Sequence, residues 1–280
     1  MRTTTNVSVL MSTFHKDSVS QFKEALDSLK IQTLLAEEVI VVEDGPLTED
    51  LYCVIEEYSK VLPIKRIVLK ENKGLGNALN VGLQACSHSI VCRMDTDDIC
   101  DKYRFEKQVK FLMENPDVDI LGSWVHDINE KGEVIGHRIF PTSHDSIYDI
   151  IWSCPFAHPT VVYRKESILN IGSYRTDIKR RQDYDLWIRA ALKGLRFGNI
   201  PEYLLKYRFT DDYYKKNNFK VAWEQGMMGF KGLKKLKIKR IFPYLAVFSP
   251  VLRTCLPVFL AKPFQRFIAN VDPRKKKKSK

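Results

Sequence analysis

Two rhythms of apolar residues alternate along the first hundred positions. Asn6 to Met11, Glu38 to Val42, Ile64 to Leu69 and Ser89 to Met94 are short runs, mostly rich in Val and Ile, and each predicts a strand. Val19, Phe22, Ala25, Leu26 and Leu29 instead recur at the spacing of one helical face and predict a helix over Ser18 to Gln32. Leu47 to Tyr58 predicts a second helix, and a glycine-containing loop, Glu71 to Asn80, opens a third. Strands alternating with helices in this way predict an α/β fold with a Rossmann-like, mostly parallel central sheet, flanking helices and right-handed crossovers. Beyond residue 100 the pattern predicts a helix over Arg104 to Met113, stopped at Asn115-Pro116, and a strand over Asp119 to Val125. A hairpin turn at Glu130 to Glu133, a loop entering a strand over Ser153 to Tyr163, and an amphipathic helix from Gln182 to Leu192 follow. No internal repeat is visible.

The polar residues that close these strands carry the candidate chemistry. Ile90 to Asp98 is an apolar run ending in Asp95, Asp97 and Asp98. Carboxylates this close repel one another unless a cation neutralises them, and hard oxygen ligands suit Mg²⁺ or Mn²⁺. Alone, the stretch reads as a solvated acidic turn; at the carboxyl end of a strand it sits where open α/β sheets bind ligands. Ser12 to Phe14 after the first strand could hold a base and ribose, and Asp44 after the second could accept from a base N–H or simply form a turn. Asn72 to Gly74, with Lys73, could bring backbone N–H groups towards phosphate. His158 stands at a loop-to-strand junction, where a lone histidine is usually structural. Asp183 and Asp185 begin a helix and could merely complement its dipole.

Charge changes the picture only at one end. The chain of 280 residues carries +11, but fifteen Lys and Arg against Asp272 from Lys231 onwards put +14 there and leave about −3 for residues 1–230. Ile241 to Ala261 holds one charge, Arg253, and three prolines, Pro243, Pro250 and Pro257, which argues against a simple spanning helix. Flanked by Lys231 to Arg240 and Arg274 to Lys278, it reads as an interfacial segment on an anionic membrane surface. The alternative is helices packed on the main domain with a basic end. No stacking module accompanies the charge, so nucleic acid is not expected as a partner. Six cysteines without Cys-x-x-Cys spacing fit a reducing cytosolic setting, and Met1 to Thr5 leads straight into a strand, so secretion is not expected.

Taken in order, Val-Ser-Val-Leu-Met-Ser-Thr-Phe, Val-Ile-Val-Val-Glu-Asp-Gly, Asn-Lys-Gly-Leu-Gly-Asn-Ala-Leu-Asn, Met-Asp-Thr-Asp-Asp, His-Pro-Thr-Val and Gln-Asp-Tyr-Asp-Leu-Trp resemble family 2 glycosyltransferases of the GT-A fold. The likeness covers roughly residues 6 to 210. Glu-Asp-Gly-Pro-Leu-Thr and Asp-Thr-Asp-Asp-Ile-Cys look most like bacterial exopolysaccharide and O-antigen transferases of the amylovoran-biosynthesis type. The resemblance implies a metal-dependent, inverting hexosyltransferase with a UDP-sugar donor and a polyprenyl-diphosphate-linked saccharide acceptor, peripheral to the cytoplasmic face of the inner membrane. It implies Ser12 and Phe14 around uracil and ribose, Asp44 on the uracil N3–H, and Asn72 and Gly74 at the nucleotide edge. It also implies Asp97 with Asp95 on the Mn²⁺ or Mg²⁺, Asp98 near the donor sugar, and Asp183 as base, with His158 and Gln182 as further donor or acceptor contacts. Glu43 and Gln182 depart from the family, which often has Asp and Glu there. The expected organisation is a catalytic domain over 1–215, its nucleotide half 1–100 and acceptor half 101–215, then a helical basic extension over 216–280. A nucleotidyltransferase would need glycines after the first strand that Ser12 to Asp17 lacks. A non-catalytic sugar-nucleotide binder would have little reason to keep both Asp97 and Asp183.

Overall fold

In the computed structural model, which describes residues 6–209 and 218–255, all four expected strands of the first half form, with the expected helices between them. The order is β1 (Val7–Thr13), α1 (Val19–Lys30), β2 (Glu38–Glu43), α2 (Glu49–Tyr58), β3 (Ile64–Val68), α3 (Leu75–Ala85) and β4 (Ile90–Arg93). β3, β2, β1 and β4 lie side by side and parallel. Both faces are covered. Val7, Val9 and Met11 pack with α1 and α2, whereas Leu10, Ile40 and Val42 face α3, as the two-residue period of a strand requires. Each such fully buried aliphatic side chain is worth about 1.5–3 kcal/mol.

One buried acid ties this half together. Glu38, 1% exposed, accepts from Ser8 Oγ at 2.6 Å, Lys65 Nζ at 2.6 Å and Ser87 Oγ at 3.0 Å. Burial alone would raise its pKa, but the hydrogen bonds from Lys65, Ser8 and Ser87 outweigh it and hold the carboxyl at about 2.

Beyond β4 the sheet is mixed rather than mostly parallel. The chain continues as β5 (Ile99–Cys100), α4 (Arg104–Glu114), β6 (Ile120–Ile128), β7 (Val134–Arg138), α5 (His144–Asp149), β8 (Val162–Arg164), α6 (Lys165–Asn170), α7 (Gln182–Leu192) and β9 (Phe197–Arg208). The sheet order is β3-β2-β1-β4-β8-β6-β9-β5, with β7 on β6 as the expected hairpin. β8 is antiparallel to both β4 and β6, and it starts only at Val162 because His158–Thr160 forms a single 3₁₀ turn. β9, unforeseen from the pattern, pairs with β6 in parallel, and its register slips between Ser123–Ile200 and Trp124–Tyr203. The slip loops out Pro201 and Glu202, both exposed, so a proline that would break a ladder sits where no ladder bond is needed.

The basic extension begins as helices. α8 (Phe219–Lys235), α9 (Ile241–Ala246) and α10 (Ser249–Cys255) follow, and α8 packs across α7. At Gly232 a Cβ would come within 2.7 Å of the Ile188 side chain, so the close helix approach requires glycine. Pro243 and Pro250 fall in the first turns of α9 and α10, where the missing N–H has no intrahelical partner to lose. No helix of the described residues is long and apolar enough to cross a membrane. Pro257 and the basic run Arg274 to Lys278 expected at the membrane surface lie outside the described residues.

Candidate active site

The carboxyl ends of β1, β2 and β4 surround a cavity of ≈ 380 Å³, within the ~300–1,000 Å³ of small-ligand sites. Seven residues singled out in the sequence line it: Ser12, Phe14, Asp44, Asn72, Gly74, Asp95 and Asp97. Asp17, Leu75, Thr96 and Tyr207 complete the lining. Asp98, His158, Gln182 and Asp183 are not part of it.

Asp44 organises one wall. Its two oxygens accept the backbone N–H groups of Lys73 (2.9 Å) and Gly74 (3.0 Å), which holds the loop before α3 against the end of β2. These are the N–H groups that the sequence offers to phosphate, and here a carboxylate takes them. Each Asp44 oxygen keeps a further lone pair on a wall of the cavity. Lys73 Nζ pairs outside with Glu71 at 3.2 Å. Glu43, next to Asp44, points away and binds Arg66 at 2.6 Å beneath the sheet edge.

The acidic turn forms the opposite wall. Asp95, Asp97 and Asp98 each bring one carboxylate oxygen to within 4.8 Å of the others. Burial, then repulsion from Asp95 and Asp17, pushes Asp97 up to about 7. Burial, then Asp97 and Asp95, pushes Asp98 well above the usual carboxylate range. Asp17 is also raised, by burial first; its Oδ2 accepts from Thr96 Oγ1 at 2.9 Å and from Phe14 N at 3.2 Å. Two buried arginines answer this charge. Arg93 on β4 donates to Asp95 and to the Met94 carbonyl, and Arg208 at the end of β9 donates to the Asp97 carbonyl at 2.7 Å.

The donor set fits a small hard cation. Asp98 Oδ1 accepts the Arg208 backbone N–H at 2.8 Å, but Asp98 Oδ2 is buried without a partner. An orphaned buried oxygen within a cluster of repelling carboxylates is what a bound Mg²⁺ or Mn²⁺ would satisfy.

A second set of residues lies behind α3. Gly76 in its first turn packs against the Arg175 carbonyl, where a Cβ would stand 2.5 Å away, and Asn80 clamps the backbone of Tyr174 through both amide groups (2.6 and 2.8 Å). The hydroxyl of buried Tyr174 meets Nε2 of half-buried His158 at 2.9 Å. Burial, then Arg93, holds His158 well below the usual histidine range, so it is a neutral partner of Tyr174 rather than a wall of the cavity. Gln182 is buried too and donates to the Ile178 carbonyl at 3.1 Å, bracing the 175–181 loop. The two acids of the α7 first turn divide. Asp185 is bound to Arg189 at 2.6 Å and approaches Arg175 at 3.7 Å, whereas Asp183, half-buried, accepts from the Cys154 thiol at 3.6 Å. Asp183 and Asp95 both act on the Tyr174 hydroxyl, behind burial, in raising its pKa.

Arg93, Tyr174, Tyr207 and Arg208 are not marked by any motif. An arginine inside an apolar four-residue strand is the one local signal for Arg93; nothing local marks the others.

Comparison with known proteins agrees with this layout. The profile described as Glycosyl transferase family 2 matches residues 8–175. The amylovoran biosynthesis glycosyltransferase AmsE of Erwinia amylovora is 39% identical over 210 residues, covering 75% of this chain and 78% of AmsE. An Escherichia coli UDP-Gal:alpha-D-GlcNAc-diphosphoundecaprenol beta-1,3-galactosyltransferase is 36% identical over 217 residues, 76% of this chain and 78% of that protein. Among solved structures, S. aureus TarS 1-349 in complex with UDP superposes with a TM-score of 0.67 at 18% identity, over 94% of this chain and 78% of TarS. Mannosyltransferase PcManGT from Pyrobaculum calidifontis, in complex with GDP-Man and Mn²⁺, gives 0.62 at 17% identity, over 97% of this chain and 76% of that one. The sheet that switches from parallel to mixed at β8, the cavity at its carboxyl edge and the sequence match together make this chain a glycosyltransferase, a member of glycosyl transferase family 2 with the GT-A fold.

Proposed function

We propose that the chain transfers galactose, or glucose, from a UDP-sugar to a polyprenyl-diphosphate-linked saccharide, with inversion, in O-antigen, capsule or exopolysaccharide assembly. One observation carries this: the cavity is walled by Asp44 and by Asp95, Thr96 and Asp97 of the acidic turn, in a chain 36% identical to a galactosyltransferase named for a lipid-diphosphate acceptor. Phe14, Ser12 and Asn72 would contact base and ribose, and the free lone pairs of Asp44 would accept from the uracil N3–H. Asp97 and Asp95 would hold Mn²⁺ or Mg²⁺, Arg93 fixing Asp95 and the orphaned oxygen of Asp98 standing beside them. When bound, the metal supplies a Lewis acid for the departing diphosphate.

The remaining chemistry belongs to the chain. Asp183 takes the proton of the acceptor hydroxyl as its oxygen bonds to the anomeric carbon and the bond to the UDP oxygen breaks on the opposite face. No carboxylate is needed as a nucleophile, which is what a single inverting displacement requires. Neutral His158, hydrogen-bonded to Tyr174, keeps that phenol in place between the two acidic regions. The 175–181 loop, tied by Gly76, Asn80 and Gln182, excludes water at the donor edge.

The same reading places the enzyme peripherally on the cytoplasmic face of the membrane through its basic extension. In support, Ile241 and Leu245 on α9 are 76% and 68% exposed, next to Lys239 and Arg240. Incubating the purified protein with UDP-[¹⁴C]galactose, Mn²⁺ and a GlcNAc-diphospho-lipid tests the activity. Transfer with inversion is expected; transfer from no UDP-hexose, or equal transfer with EDTA present, overturns it.

A further inference from the structure

The last residue of β9 does more than end a strand. In a strand, neighbouring side chains point to opposite faces. Tyr207 accordingly lines the cavity, while the Arg208 side chain is wholly enclosed. Its donors reach three separate parts of the chain. Nε holds the Asp97 carbonyl at 2.7 Å, and the Arg208 backbone N–H holds Asp98 Oδ1 at 2.8 Å. One terminal nitrogen holds the Asn129 and Glu130 carbonyls of the β6–β7 turn at 3.1 and 2.9 Å. The other meets Glu24 of α1 at 2.5 Å. Arg93 holds the Asp95 end of the acidic turn, and Arg208 holds its Asp97–Asp98 end. That guanidinium is held in turn by a helix and a hairpin distant in sequence.

We propose that Arg208 is the positioning residue of the acidic turn: through Asp97 and Asp98 it sets the carboxylate geometry on which cation and diphosphate affinity depend. A guanidinium is required because its planar fork donates in several fixed directions at once, which a lysine ammonium on a flexible stem does not reproduce. Arg208 touches neither donor nor acceptor, so its effect passes through Asp97 and Asp98. Partners that orient metal ligands in this way typically change metal affinity about 10–100-fold when removed. The consequence for Mn²⁺ rests on the metal-dependent reading above; the positioning itself does not.

Two measurements on full-length Arg208→Ala, Arg208→Lys and Glu24→Gln keep these apart. The first is amide hydrogen exchange of the metal-free protein. Faster exchange confined to residues 95–100 and 128–133, with the β1–β4 core unchanged, is expected for Arg208→Ala and Arg208→Lys, and a smaller rise for Glu24→Gln. The second is Mn²⁺ binding, followed by electron paramagnetic resonance with and without UDP. Affinity about tenfold or more below wild type is expected for the Arg208 variants, with UDP binding in the absence of metal unaltered. Unchanged exchange at the turn in a folded Arg208→Lys protein overturns the proposal, as does wild-type Mn²⁺ affinity beside altered exchange. If wild-type protein binds no Mn²⁺ at all, the metal-dependent reading falls, and the exchange data alone decide whether Arg208 positions the turn.

Discussion

Two groups of acids lie within reach of Tyr174, and they are built in opposite ways. At Asp95–Asp98 three carboxylates are crowded together, Asp98 with an oxygen left unpaired and Asp97 raised to about 7. At the start of α7 the acids are separated by partner: Asp185 is locked to Arg189, and Asp183 is left half-exposed beside a thiol. Crowding stores repulsion that a cation relieves, so the first group suits metal. A half-exposed carboxylate set apart from that cluster suits a proton. Sequence motif alone gives both pairs the same appearance, an Asp-x-Asp.

The contrast breaks most decisively at Asp97. Asp97→Asn should lower turnover at least about 10³-fold, the several kcal/mol of a lost Lewis acid. The metal-free variant should nevertheless melt no lower than wild type, because the substitution removes a repelled buried charge. A clear fall in melting temperature with retained Mn²⁺ affinity would show that Asp97 is structural instead.

Asp183→Asn comes next. Loss of ~10²–10⁴-fold in kcat, with donor affinity intact, is expected for a general base. Weakened UDP-sugar binding in calorimetry would move Asp183 from the acceptor to the donor side.

pH separates the crowded acids from the buried structural one. The folded pKa of Asp97 lies above its ordinary 3.8, so folding favours the protonated form. Its contribution is full below about pH 4 and is lost as pH rises through 7, so the metal-free protein should lose stability over that interval. Mn²⁺, which needs the ionised form, should flatten this slope and bind more tightly as pH rises through 7. Glu38 has the opposite sign: its pKa falls from 4.5 to about 2, so its contribution is present above 4.5 and disappears towards 2. That shift corresponds to on the order of 3 kcal/mol. Chemical denaturation across pH 2–8 with and without Mn²⁺ measures both slopes; a Mn²⁺-independent slope between 4 and 7 would count against Asp97.

The smallest effect is expected at Asp185. Asp185→Asn breaks a partly buried i,i+4 pair and should cost about 1 kcal/mol in urea titrations, with kcat within a few-fold of wild type. A loss of turnover as large as at Asp183 would erase the distinction between the two acids.

The parallel half was readable because its information is local. β1, β2 and β4 are buried on both faces and so appear as unbroken apolar runs, and α1 shows its inward face at helical spacing. Ser12, Phe14, Asp44, Asp95 and Asp97 follow from the ends of these strands, and Asn72 and Gly74 from the loop that opens α3; all line the cavity. β9 was hidden because Pro201 and Glu202 interrupt its pattern, and only the register slip against β6 shows that they are looped out.

What the amino-acid order determined by itself is the alternation of strands and helices and the set of polar residues at the strand ends, since both depend on side-chain period and burial. What only the tertiary structure decided is which charges meet. Arg208 lies 111 positions from the Asp97 carbonyl it holds, and Asn80 lies 94 from the Tyr174 backbone it clamps. Contacts of that separation follow from sheet order and register, which no local spacing encodes. The sorting of Asp183 from Asp185 and the loss of the Lys73 and Gly74 N–H groups to Asp44 have the same origin: a polar group's role is set by the partner that reaches it first.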